Sequence, residues 1–227
     1  MRKNQEYKNA ALAALKGNWP QSIVATFVVL VLSQLSVLVV WGIPRLCDSG
    51  SCSQIVIWSV VALVAMLYMY VLVMPCMVGF INAFNALFYR SDNALLSNLK
   101  EMTFAGYFRS AAGMFMMSLI TSVCSLALIV PGVIASMSLF LVPYLLHDNP
   151  DLSLIDTMRL SRKMTRGHKM QLFKLSLSFI GWVFLNFFTL GVGTLWLVPY
   201  MMTTMSAFYQ DVREQYIMKE GLQESAS

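Results

Sequence analysis

The chain has 227 residues, 58% of them hydrophobic and only 12% charged, with a net charge of +5 and a mean hydropathy of +0.65. A soluble domain carries about 25% charged residues, and half that share leaves too little polar surface to cover a soluble globule of this size. An ordinary cytosolic enzyme and a disordered chain are both excluded.

Asp, Glu, Lys and Arg are absent from residues 17–44, 46–47, 49–89, 110–147 and 175–210. Charge-free runs longer than about 18 residues indicate spanning helices. The expected fold is therefore all-α, a single integral membrane domain over 1–227 with six spans in three hairpins. The first span is 20–43; its apolar run, Ile23–Ile43, is too long for a signal-peptide core, so it reads as an uncleaved span. The second is 55–78, continuing as helix towards Tyr89. The run 110–147 is too long for one crossing, and Pro131-Gly132 offers a turn, giving spans 108–130 and 133–147. Gly191-Val192-Gly193 permits a second reversal, giving spans 172–190 and 194–210. The fourth and sixth spans are short.

Fifteen of the sixteen cations fall on one side of this arrangement, with Arg45 alone on the other. By the positive-inside rule both termini are cytoplasmic. Because Lys and Arg lie between the apolar runs, the positive charge reports orientation and anionic lipid rather than nucleic acid.

Each hairpin reads as a repeat of one plan, a glycine and an aromatic at the entry, then a span, a turn and a return span with proline; the frequency of proline in membrane helices is the alternative account of the last feature. The entries are Gly17-Asn18-Trp19, Gly106-Tyr107-Phe108 and Gly167 onward to Phe173; the returns carry Pro75, Pro143 and Pro199. Proline removes a helix hydrogen bond, and in lipid the freed carbonyl needs a partner, so kinks face protein or water. Pro75, Pro143 and Pro199 are thus expected to line a common interior, with Asn186 in span five. Asn186 also reads as a helix–helix hydrogen bond.

Two amphipathic cytoplasmic helices are expected, over about 5–16 and 150–166. In the first, Leu12 and Leu15 oppose Lys8 and Lys16. In the second, Asp148 or Asn149 can cap and Pro150 suits the first helical position. Leu154, Ile155 and Met158 form an apolar stripe. Arg159, Arg162, Lys163 and Arg166 then share one face at i, i+3, i+4 and i+7, with Lys169 just beyond. A basic face beside apolar residues is the pattern of a helix lying on anionic headgroups. It is equally the plain topology signal, and an acidic cytoplasmic or membrane protein partner would also fit it.

A resemblance rests on Pro131-Gly132-Val133, Asp148-Asn149-Pro150, Ser161-Arg162-Lys163-Met164, Gly167-His168-Lys169, Thr189-Leu190-Gly191-Val192-Gly193 and Pro199-Tyr200, with Ala14-Leu15-Lys16-Gly17-Asn18-Trp19 upstream. Together these are similar to the bacterial integral membrane proteins of domain-of-unknown-function family 975, most densely over 131–209. The resemblance implies a multi-span bacterial membrane protein and carries over no activity, substrate or catalytic residue; with cytoplasmic termini the expected location is the inner membrane. The cysteine-bearing loop and Met74-Pro75-Cys76-Met77 depart from it.

Little else points to chemistry. Cys47 and Cys52, in an outer loop with a Ser-Gly spacer, can form a disulfide or stay free. Met74-Pro75-Cys76-Met77 has soft-metal ligand types, but the other return spans carry Val-Pro-Tyr there, so a structural proline accounts for it and no metal is expected. His147 and His168 are the chain's histidines, both near the cytoplasmic interface, and no nucleophile elbow, zinc motif or phosphate loop occurs. No catalytic residue and no cofactor are expected. The favoured reading is a non-enzymatic scaffold, lipid-interacting or accessory protein. The alternative is a transporter or channel for an uncharged or amphiphilic solute, since no span holds a central Asp, Glu, Lys or Arg.

Overall fold

The computed structural model describes residues 3–46, 51–90 and 104–224, and no strand occurs among them. Helix α1 (Asn4–Leu15) ends at Gly17, whose φ of +93° is left-handed and open to glycine at no steric cost. The chain turns there by 99° into α2 (Trp19–Leu46). Helix α3 (Ser51–Tyr68) packs beside α2, and Tyr68 donates to the Leu32 carbonyl at 2.7 Å. A single π-helical turn, Met69–Val73, joins α3 to α4 (Met74–Arg90). Pro75 accounts for that turn: it lacks an N–H and its ring crowds the preceding turn, and a wider turn relieves the crowding.

Helices α5 (Phe104–Ala127) and α6 (Ile129–Leu139) form a tight hairpin. Its break is Leu128, at φ −166° and ψ 146°, rather than Pro131-Gly132. Proline falls in the first turn of α6, where its missing N–H costs nothing. Gly132 lies against Ser125, close enough that a Cβ would come within 2.2 Å of the Ser125 hydroxyl. The expected turn residues thus serve helix entry and close packing. After a short break comes α7 (Val142–Asp148), then α8 (Leu154–Met164), α9 (Lys169–Leu177), α10 (Ile180–Phe188) and α11 (Thr194–Glu224).

Helix α11 is the hub: it packs on α1, α2, α4 and α8. One core joins Tyr7, Tyr144, Leu145, Leu172, Leu175, Phe179, Phe208 and Tyr209; a second joins Leu15, Ala25, Val29, Phe80 and Phe84. Outside them, side chains such as Phe27, Val60, Leu119, Phe184 and Phe187 are more than half exposed. That much bare apolar surface on helices needs a bilayer. Four elements among the described residues are long and apolar enough to cross one: Trp58–Tyr89, Gly106–Leu126, Val130–Asp148 and Lys169–Phe188. The bent pair Asn4–Leu15 and Trp19–Leu35 makes a fifth if counted as one. The stretch expected as the sixth span, 194–210, is not among them. It is helical, but its buried face carries Thr203, Thr204, Ser206 and Gln210.

Candidate membrane-surface site

The second amphipathic helix starts later than expected. Residues 149–152 form a turn, and Ser153 caps α8, accepting from the Asp156 N–H at 3.1 Å. Asp148, Asn149 and Pro150 therefore do not start it. Asp148 instead ends α7, where it accepts from the Tyr209 hydroxyl at 2.5 Å and pairs with Arg213 at 3.5 Å. The 149–152 turn is fixed by Arg109, which donates to the Asn149 carbonyl at 2.9 Å and also to that of Leu152.

The apolar face of α8 is turned into the protein. Thr157, Met158, Ser161 and Met164 are buried. The Ser161 and Thr165 hydroxyls both donate to the Ser138 carbonyl of α6, at 2.8 and 3.3 Å. Of the expected stripe, Leu154 and Met158 pack inward, whereas Ile155 is exposed. Arg159, Arg162, Lys163 and Arg166 are all exposed. Arg159 pairs with Asp156 at 3.2 Å on the open surface. Lys169, beyond the left-handed Gly167 at φ +92°, is half-buried at the start of α9. The protein core, rather than lipid alone, holds this helix in place.

The same holds for α1. Tyr7, Ala11 and Leu15 are fully buried along one face, and the Tyr7 hydroxyl donates to Asp211 of α11. Leu12 does not join them as expected: it is 46% exposed and, four residues after Lys8, shares that cation's side of the helix rather than opposing it. Gln171 reaches the same hydroxyl at 3.5 Å. His168 lies nearby: its partial burial pulls its pKa below the ordinary histidine value, against the opposing pull of Asp211.

The three prolines are buried but accommodated in three ways. Pro75 follows a π turn, Pro143 sits in the first turn of α7, and Pro199 lies inside a continuous α11. The Pro143 carbonyl accepts from Asn82 at 3.2 Å, and that of Pro199 from Thr203 at 2.9 Å. Asn186 lies in the last turn of α10, where it donates to Thr194 at the start of α11 at 2.7 Å and so links the two helices. Cys47 and the side chain of Cys52 lie outside the described residues.

A scan of family models matches residues 43–216. The chain belongs to the family described as Protein of unknown function (DUF975). No curated protein and no solved structure matches it. Within this DUF975 chain, the pairs Tyr7–Asp211, Tyr209–Asp148 and Arg213–Asp148, and the hold of Arg109 on the 149–152 turn, carry no motif in the sequence. The signal open to sequence reasoning was that Asp148 and Asp211 each stand at the first charged position after a long charge-free run.

Proposed function

We propose that this DUF975 protein is a non-enzymatic component of a bacterial inner membrane, with six spans and both termini cytoplasmic, that binds anionic lipid headgroups through α8. The observation that carries this reading is the division of labour on that helix. One face is bonded to the Ser138 carbonyl and buried, while Arg159, Arg162, Lys163 and Arg166 project outward. A helix so fixed presents its cations without first having to order itself on the surface, which removes part of the entropic cost of binding. Close packing at the charged ends of the helices favours this over solute transport: Tyr144 and Tyr209 stack at 4.6 Å, beside buried Phe208. Several buried hydroxyls, those of Thr203, Thr204 and Ser206, bond back to their own helix rather than lining a path.

The test is native mass spectrometry of the full chain released from nanodiscs formed from its own membrane. The wild type is expected to retain discrete anionic-lipid adducts. Replacing Arg159, Arg162, Lys163 and Arg166 with Gln should strip most of them, at about 1 kcal/mol per cation near a surface. Arg159→Gln alone should do least, because Asp156 already neutralises that side chain. A correctly inserted quadruple variant with unchanged adducts would overturn the proposal. Retention of an acidic protein in place of lipid would assign the face to that partner.

A further inference from the structure

Helix α8 and the elbow after it match α1 and its elbow position by position. Each helix has an acid in its first turn, Glu6 or Asp156. Each buries residues at the same three places, Tyr7, Ala11 and Leu15 against Thr157, Ser161 and Thr165. Each ends in a cation and a left-handed glycine, Lys16-Gly17 at φ +93° and Arg166-Gly167 at φ +92°. The outer faces differ. Where α8 carries Arg159, Arg162 and Lys163, α1 carries Asn9, Leu12 and Ala13, all exposed. The same local fold therefore forms without those three cations, and folding does not account for them.

They lie where phosphates lie. The span before α8 ends at Asp148 and the next begins at Lys169, so α8 rests at one membrane surface, level with the headgroups. Asp156 answers Arg159 at 3.2 Å, but among the described residues no carboxylate lies within ion-pair distance of Arg162, Lys163 or Arg166. The next acid along the chain is Asp211. Arg162 and Lys163 occupy the last turn of α8, and Arg166 follows in a tight turn, its N–H on the Lys163 carbonyl at 3.2 Å. The negative end of the helix dipole offsets about half a charge there, leaving roughly 2.5 positive charges within about 6 Å along the axis. Arginine meets a phosphate with two parallel donors, so Arg162 and Arg166, four residues apart on one side, present two such forks. One monoanionic headgroup answers less than half of this charge. Two phosphates in one molecule answer most of it, and once the first is bound the second docks at high effective concentration.

We infer that this face of α8 selects a lipid whose headgroup carries two linked phosphates, one on Arg162 and the other on Arg166, with Lys163 beside them. The inference rests on α8 binding anionic lipid and names the class of lipid.

The full chain would be placed in phosphatidylcholine nanodiscs holding either cardiolipin, with its two phosphates, or twice that amount of phosphatidylglycerol, which matches phosphate and acyl-chain content. Native mass spectrometry then reads the lipid retained per chain. Cardiolipin should be retained at a several-fold lower phosphate content than phosphatidylglycerol. Arg162→Gln and Arg166→Gln should each weaken cardiolipin retention about fivefold, the effect of one cation near an anionic surface. Phosphatidylglycerol should lose less, since its one phosphate keeps a free arginine. Arg159→Gln should leave the preference in place. Equal retention of the two lipids at equal phosphate, both lost in the quadruple variant, would overturn this inference and leave the α8 site standing. A preference unchanged by Arg162→Gln and Arg166→Gln would come from the acyl chains and overturn it too. Retention of neither lipid would overturn both readings. Displacement of cardiolipin by millimolar inorganic pyrophosphate would overturn the inference by assigning the face to a soluble diphosphate.

Discussion

Tyr7 is fully buried and bonded to Asp211, 204 residues away in sequence. A hydrogen bond to a charged partner contributes about 1.5–3 kcal/mol, and removing one side leaves the other short of a donor. Tyr7→Phe keeps the ring and its edge-on contact with Phe208. It should therefore lower stability by about 1–3 kcal/mol, read as an earlier thermal transition of the detergent-solubilised protein. An unchanged transition would show that the hydroxyl does not hold α1 on α11. At this scale the sequence was legible where charge is scarce. Arg159, Arg162, Lys163 and Arg166 stand out because no acid occurs between Asp156 and Asp211. The partners of Asp148 and Asp211 were not legible. A carboxylate at the end of an apolar run looks the same whether it caps the next helix or bonds a tyrosine from a distant one.

Between elements, the α5–α6 contact is set by Gly132. A Cβ there would stand 2.2 Å from the Ser125 hydroxyl and 2.9 Å from its Cα. The backbone cannot yield as a flexible side chain would, so Gly132→Ala should push the two helices apart at a cost of about 1–3 kcal/mol. Gly106→Ala, where nothing lies within 4 Å, is the control and should leave the melting curve near that of the wild type. Equal melting of both variants would remove the close-packing account. Pro-Gly reads as a turn in sequence because each residue is poor in a helix interior. In a first turn facing another helix both objections lapse, and only the packing shows this.

The entry glycines reveal a likeness between the two ends of the molecule. Asn18 N–H bonds the Leu15 carbonyl at 2.9 Å and Ser22 N–H that of Asn18 at 3.0 Å; His168 bonds Thr165 at 3.0 Å and Leu172 bonds His168 at 3.0 Å. Gly17 and Gly167 have φ of +93° and +92°, and Tyr7, Ala11 and Leu15 match the buried Thr157, Ser161 and Thr165. These two entries thus share one backbone geometry, while the prolines of the return helices are each handled differently.

For the molecule as a whole, orientation is tested by labelling. In a chain freed of its native cysteines, Val192→Cys, in the exposed α10–α11 turn, should react with an impermeant reagent added outside. Ser225→Cys should react only after the membrane is opened. The reverse pattern would invert the topology and place α8 outside.

By itself the sequence determined that the chain is helical and membrane-bound, and where its charges gather. Hydropathy and charge are sums over local residues, and the bilayer acts on those sums directly. Only the tertiary structure decided that the inner faces of α1 and α8 pack on protein, that Asp148 and Asp211 bond distant tyrosines, and that Leu12 and Trp19 come to face Trp182 and Trp196 across a groove. Each of these is a pairing between residues far apart in the chain. The same amphipathic pattern satisfies lipid or a neighbouring helix equally well, so the choice belongs to the packing.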